Sequence, residues 1–328
     1  MLLCLKVHQF SMKALFHTNK STSEIKILND RPLLSGQIKV RSLYSMVSLG
    51  TEKLVASGRV PNSLWDYMDV PYQEGGFDFP IKYGYSLVGE VIEGSEKLKG
   101  KRIHCLHPHQ NEIIIAEEDA FLIPDYIPSG RASLASNLET AVTGLWDAEI
   151  KINDKVLIVG FGMIGALVAG CLKQRAGQRF EILEVNKERK KKAEDLNLAV
   201  ADESSDGYDV VFHCSATEGG LQAAIDKCAF EGKVVELSWY GDRKVNIDLG
   251  SSFHYGRKRI ISSQVSHIPS SVGPDMTYRK RKEIVFDILK DSWFEGLLDN
   301  EIAFDELPGF FGRLRQGEVR ELSGLVKY

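Results

Sequence analysis

Lys155-Val156-Leu157-Ile158-Val159-Gly160-Phe161-Gly162-Met163-Ile164-Gly165 decides how the rest of the chain is read. Residues 155–159 have the short, continuously apolar character of a strand buried on both faces. Three glycines follow at G-x-G-x-x-G spacing, and the pattern after them turns helical. Gly160 permits the tight turn, Gly162 lets the backbone approach a phosphate, and Gly165 lets the helix pack against the strand. The helix start offers unpaired N–H groups and a partial positive charge to an anion. A second strand spans 179–185, and Glu184, 19 residues beyond Gly165, lies at its end. A carboxylate there accepts hydrogen bonds from the two adenosine ribose hydroxyls and repels a 2′-phosphate. The expected ligand is therefore a nicotinamide dinucleotide, NAD(H) rather than NADP(H), held by Gly160, Phe161, Gly162, Met163, Ile164, Gly165 and Glu184. Lys187 and Arg189, just beyond the acid, leave a route to the phosphorylated form.

The β-α alternation continues on the C-terminal side. Helices are expected over 164–175, 187–196 and 220–229, and strands over 209–214, 233–237 and 259–265. Strands separated by helices of this length imply a parallel sheet with right-handed crossovers. Ser238-Trp239-Tyr240 follows the strand 233–237, and ligands in such sheets sit beyond the carboxyl ends of strands. Ser238 and Trp239 are thus expected beside the nicotinamide. Trp239 and Tyr240 either form an aromatic wall for a flat substrate or bury against the first domain. On the N-terminal side the texture differs. Residues 37–44 alternate with period two, and 87–93, 102–106 and 112–116 continue as closely spaced strands without helices between them. This predicts a small barrel or sandwich. A helix over 134–149 opens the nucleotide region. After residue 275 a helix over 278–289 leads to a strand-like end at 323–327, which is expected to return to the first domain.

The chain has 328 residues, 43% of them hydrophobic, enough for two domains. A net charge of -4 and a pI near 6.1 give no general pull toward nucleic acid or anionic membrane. Arg189 to Lys192, set between Glu188 and Glu194, reads as a solvated helix face. No apolar run has membrane-spanning length. Residues 1–10 lack a signal-peptide pattern, and Met12 is a second candidate start that makes 1–11 an extension. The five cysteines, Cys4, Cys105, Cys171, Cys214 and Cys228, are widely spaced with no C-x-x-C pair. They read as buried thiols in a reducing cytoplasm rather than disulfides or a zinc lobe.

Tyr83-Gly84-Tyr85-Ser86-Leu87-Val88-Gly89-Glu90-Val91, Glu139-Thr140-Ala141-Val142-Thr143-Gly144 and the glycine turn together resemble the medium-chain dehydrogenase/reductase superfamily. The likeness runs from about Met12 to Tyr328. Ser48-Leu49-Gly50-Thr51-Glu52, Cys105 to Gln110 and Glu236 to Arg243 resemble more closely the dehydrogenase of bacteriochlorophyll synthesis that oxidises a hydroxyethyl side chain, and its relatives. The resemblance implies an α/β chain: a doubly wound parallel (Rossmann) sheet plus a GroES-like β-barrel domain built from both chain ends. The implied division is a substrate domain at 1–135, a dinucleotide domain at 136–272, and a return to the first domain at 273–328. It also implies a homodimer acting on a small-molecule substrate, and the charge balance and hydropathy above give no reason to expect a nucleic-acid or membrane partner.

Zinc members of the superfamily hold a catalytic metal with a cysteine, a Gly-His-Glu motif and a third cysteine or acid. Here the first position falls in the cysteine-free Ser48-Leu49 region, the motif reads Gly84-Tyr85-Ser86, and the third position reads as Glu139. One carboxylate is too few for a catalytic zinc, so no metal is expected. The remaining route to a metal is His107 and His109 reaching Glu139. Without zinc, protein donors must stabilise the developing charge on the substrate oxygen. The candidate groups are Tyr85, with His107 or His109 as its cationic neighbour or relay, Glu139 as orienter, and Thr51 and Glu52 as substrate contacts. The bland alternatives are a Tyr85 that only fills the metal's volume, structural histidines, and a Thr51-Glu52 turn pair. The expected activity is hydride transfer between NAD(H) and a hydroxyl/carbonyl pair. Reduction of a quinone or enone C=C bond and a non-catalytic dinucleotide sensor or scaffold are the alternatives.

Overall fold

The computed structural model describes residues 11–202 and 204–328. Cys4 and nearly all of the 1–11 extension lie outside them. The first domain is built on β1 (Met12–His17), β2 (Ser23–Leu28) and β3 (Gln37–Met46), then α1 (Leu49–Ala56), β4 (Ile81–Lys82), β5 (Leu87–Glu93), β6 (Arg102–Cys105) and β7 (Glu112–Ala116). In β3 the alternation holds where it was read: Ile38, Val40 and Ser42 point inward. β3 pairs with β5 along one edge and with β7 along half of the other. Gly89 of β5 meets this strand at a register shift, where a Cβ would lie 2.5 Å from Val40 Cγ1. The backbones approach too closely for a side chain.

The second domain follows α2 (Ala135–Ala148). Its elements are β8 (Lys155–Val159), α3 (Met163–Lys173), β9 (Arg179–Leu183), α4 (Lys187–Asp195), β10 (Tyr208–His213), α5 (Glu218–Lys227), β11 (Cys228–Glu236) and β12 (Arg259–Ser262). The five strands form a parallel sheet in the order β9-β8-β10-β11-β12. The order reverses between β8 and β10, which opens a crevice at their carboxyl ends. β11 begins five residues before the expected strand and β12 ends three before it, because the sheet needs only the pairs Lys233↔Arg259 to Glu236↔Ser262.

The remaining segment carries α6 (Tyr278–Ile288), β13 (Glu301–Ala303), α7 (Leu307–Gln316) and β14 (Leu325–Lys327). β14 pairs antiparallel with β3, Leu325 opposite Met46, on the edge that β7 leaves free. Phe304, Phe310 and Phe311 pack with Leu15, Val47 and Val326 in one buried cluster, so both chain ends share a core. The architecture is α/β: a doubly wound parallel sheet and a GroES-like barrel domain drawn from both ends. Among the described residues no helix is long and apolar enough to cross a membrane.

Candidate active site

The glycine turn has the shape its spacing implies. Gly160 has φ +97°, and a Cβ there would lie 2.9 Å from the Ser215 backbone. A Cβ on Gly165 would lie 2.0 Å from the Gly160 carbonyl oxygen, which only glycine avoids. Gly162 differs, with open space around its Cβ position. It is the N-cap of α3 with no capping side chain. The first-turn N–H groups therefore face an open cradle of the kind that binds phosphate. Glu184 stands at the end of β9, its carboxylate accepting the Phe161 N–H at 2.7 Å and the Asn186 N–H at 2.8 Å. Phe161 contributes this amide only, since its ring is core. Met163 and Ile164 are half-buried at the helix start, Lys187 is exposed and Arg189 half-buried.

Across the crevice, Ser48 is the N-cap of α1. Glu52, fully buried, reaches back to accept the Ser48 N–H at 2.7 Å. Its other oxygen lies 2.9 Å from His109 Nε2. His109 Nδ1 is 2.7 Å from Ser45 Oγ, which is 2.9 Å from the hydroxyl of Tyr328. Gly84, at φ +133°, lies against this imidazole, where a Cβ would come within 3.1 Å of the ring. The next residue, Tyr85, is half-buried and sits in one apolar cluster with Trp65, Phe77, Tyr83 and Trp239. Burial first, and the Glu52 charge second, push its phenol up to about 12, against hydrogen bonding by the Ser48 and Thr51 hydroxyls. Trp239, on the loop after β11, packs into this first-domain cluster, whereas Tyr240 stacks on His213.

Glu139 is not in this group. Its oxygens lie 2.7 Å from Lys282 Nζ and 3.4 Å from Arg281 Nε, both on α6. Arg281 also donates to Thr143 Oγ1 at 3.1 Å, one turn along the same face of α2. The α2 residues that face Tyr85 come earlier: Ser136 donates to the Tyr85 carbonyl at 2.7 Å, and Asn137 donates to Ser48 Oγ at 2.8 Å. Neither histidine reaches Glu139. His109 goes to Glu52, and His107 turns away, donating through Nδ1 to the Pro108 carbonyl at 2.8 Å and stacking on Tyr72. Burial, then the Lys82 charge, lowers the His107 pKa to about 3. The His107 imidazole is thus engaged by the Pro108 carbonyl and the Tyr72 ring, whereas His109 is the one that pairs with Glu52. Among the described residues no three His, Cys, Asp or Glu side chains are grouped to hold a metal ion.

Sequence reading missed Ser136 and Asn137, which the 3.6-residue spacing of α2 could have offered as alternatives to Glu139. It also missed His213, Ser215 and Glu236. Their signal was positional: polar residues ending two adjacent, otherwise apolar strands at the ligand end of a sheet.

No family model matches the chain. Over 339 aligned positions it is 22% identical to D-guloside 3-dehydrogenase of Escherichia coli (strain K12), covering 90% of this chain and 94% of that protein. It is 22% identical over 286 positions to (R,R)-butanediol dehydrogenase of Bacillus subtilis, covering 73% and 79%. The crystal structure of the latter species' 2R,3R-butanediol dehydrogenase superposes with a TM-score of 0.76 over 97% of this chain and 100% of that one, at 20% identity. This chain has the medium-chain dehydrogenase fold. Acetophenone reductase from Geotrichum candidum, solved in complex with NAD, shares it with a TM-score of 0.74, 97% coverage of both chains and 16% identity.

Proposed function

We propose that the chain is a zinc-independent oxidoreductase of the alcohol-dehydrogenase type, transferring hydride between NAD(H) and a hydroxyl/carbonyl pair on a medium-sized organic substrate. The dinucleotide fits the residues present: the open cradle at Gly162 would take the pyrophosphate, and Glu184 would hold the adenosine ribose. When bound, it supplies or accepts the hydride at its nicotinamide ring. Relatives matched along most of the chain are named dehydrogenases and reductases.

A catalytic zinc does not fit. The positions that would ligate it carry Ser48, Leu49, Tyr85 and Ser86, and Glu139 is already neutralised by two cations. Even if that pair is broken, Glu139 is one ligand where a catalytic zinc takes three from the protein.

The observation that carries the reading is Tyr85, whose phenol is hydrogen-bonded by the Ser48 and Thr51 hydroxyls and packs in one cluster with Trp239. A phenol held at about 12 is protonated at neutral pH. It therefore serves as a donor. In reduction it polarises the carbonyl oxygen and gives up its proton as alkoxide character develops, since an alkoxide is a far stronger base than a phenolate. The Ser48 and Thr51 hydroxyls stabilise the phenolate, and Glu52, which accepts the Ser48 N–H, pairs with His109. For oxidation the same groups run in reverse and favour alkaline conditions.

The test is Tyr85→Phe assayed with acetoin, 2,3-butanediol and acetophenone under NADH or NAD. Turnover should fall by about 10² to 10⁴ while NADH affinity stays within twofold. Unchanged turnover would make Tyr85 a packing residue. Stoichiometric zinc in the purified protein, or activity lost to chelation and restored by zinc, would overturn the metal-free assignment. Tighter binding of NADPH than NADH would overturn the role of Glu184.

A further inference from the structure

A second polar cluster at the carboxyl ends of β10 and β11 is used by none of these steps. His213, the last residue of β10, is fully buried, and its Nδ1 lies 2.8 Å from Glu236 Oε2 at the end of β11. An ionised carboxylate only accepts, so Nδ1 carries the proton and Nε2 is the acceptor. Ser215 Oγ is 2.7 Å from Nε2 and donates to it. The same oxygen lies 2.9 Å from the Thr217 hydroxyl, whose oxygen accepts the Gly220 N–H at 3.1 Å as the N-cap of α5. Thr217 therefore donates to Ser215. On the other side Glu236 accepts the Ser238 N–H at 2.8 Å and the Tyr240 hydroxyl at 3.2 Å. Ser238 Oγ accepts the Ala216 N–H at 3.0 Å.

The directions in this network all follow from one charge, that of Glu236. Two capacities are left over. Ser215 Oγ keeps one lone pair, and the Ser238 hydroxyl keeps its proton, whose nearest acceptor is the His213 carbonyl oxygen at a long 3.4 Å. Ser215 also lies against the turn, within 2.9 Å of the place a Gly160 Cβ would take. An acceptor beside a donor thus stands at the carboxyl ends of adjacent strands, next to the phosphate cradle.

We propose that Ser215 and Ser238 bind the nicotinamide half of the dinucleotide, and that Glu236 and His213 are positioning residues that fix which of the two accepts and which donates. The inference rests on the dinucleotide reading above. A ribose hydroxyl and the nicotinamide carboxamide each present a donor with an acceptor, and both match this pair. Glu236→Gln presents an amide to His213, moves the imidazole proton to Nε2 and turns Ser215 round, with almost no change in volume.

The experiment titrates the full chain, wild type, Ser215→Ala/Ser238→Ala and Glu236→Gln, with AMP, ADP-ribose and NADH by calorimetry. Thermal unfolding checks each variant for folding. NADH binding should weaken about tenfold in both variants, the scale of one lost net hydrogen bond, and AMP binding should stay within twofold. Parallel weakening of ADP-ribose assigns the contact to the ribose, and unaltered ADP-ribose assigns it to the carboxamide. Equal weakening of AMP and NADH, or unaltered NADH, overturns the proposal. Nitrogen NMR of His213 gives a second readout that packing alone would not move: Nδ1–H in the wild type and Nε2–H in Glu236→Gln. A wild-type imidazole protonated at Nε2 also overturns it. If the wild type binds none of the three nucleotides, the dinucleotide reading itself has failed.

Discussion

Glu52 and Glu139 are both buried carboxylates on helices that flank the crevice, yet they do different work. Glu139 faces Lys282 Nζ at 2.7 Å and Arg281 Nε at 3.4 Å. Glu52 faces an imidazole and a backbone N–H, and its charge is felt by Tyr85. A buried acid neutralised by fixed cations is structural, since its proton has nowhere useful to go. A buried acid paired with a titratable partner beside a phenol belongs to proton chemistry. The sequence motif alone made both candidates, and only the partners separate them.

The largest effect should come from breaking the structural pair. Lys282 is buried, and burial lowers its pKa against the pull of Glu139. Lys282→Met leaves the Glu139 charge with only the longer Arg281 contact. Chemical denaturation should show a loss of about 3 kcal/mol, the low end for a broken buried pair. NADH affinity and turnover per folded molecule should be unchanged. A turnover loss without a stability loss would move Glu139 back into the catalytic group and dissolve the comparison.

The two histidines of the His107-Pro108-His109 run extend the contrast. An unfolded chain protonates His107 near its ordinary 6.5, whereas the native state holds it neutral down to about 3. The native state is thus at full strength above 6.5 and loses stability as pH falls from there toward 3. At pH 5 that loss is about 2 kcal/mol. His107→Gln should flatten the difference in unfolding free energy between pH 7 and pH 5 by that amount while leaving turnover intact. An unaltered slope would mean that His107 titrates normally and is more open than its stacking on Tyr72 implies.

The legibility of the molecule follows the same division. The glycine turn, its flanking strands and Glu184 are contiguous or regularly spaced, and each residue type is demanded by backbone geometry. They could therefore be read from one dimension. The return of the C-terminal strand was also readable, because residues 323–327 had no strand of their own to pair with. The proposed catalytic corner draws on Ser48, Thr51, Glu52, Tyr85, His109, Ser136, Asn137 and Tyr328, and long-range packing brings them together. Tyr85, Glu52, Thr51 and His109 were named from motif positions. Glu139 was also named from a motif position, which could not say that its side chain meets Lys282 and Arg281 of α6. His213 and Glu236 were invisible as a pair, since nothing local tells that residues 23 apart end adjacent strands in register.

The smallest and most discriminating effect concerns Glu52 itself. Burial is the first cause of the raised Tyr85 pKa and the Glu52 charge is the second. Glu52→Gln removes the second cause and keeps the first. The Tyr85 ionisation, read as the tyrosinate absorbance missing from Tyr85→Phe, should move down by about one unit, and the alkaline limb of the rate profile should move with it. Two other titratable groups share the space, the Tyr83 phenol edge-on to Tyr85 and the His109 imidazole. His109→Gln in the Glu52→Gln background therefore tests whether the shift belongs to the carboxylate alone. Glu139→Gln should leave the Tyr85 ionisation where it was, because Lys282 and Arg281 already cancel its field. Equal shifts from the two glutamates would show that distance rather than partnership sets their influence, and the distinction drawn between them would not survive.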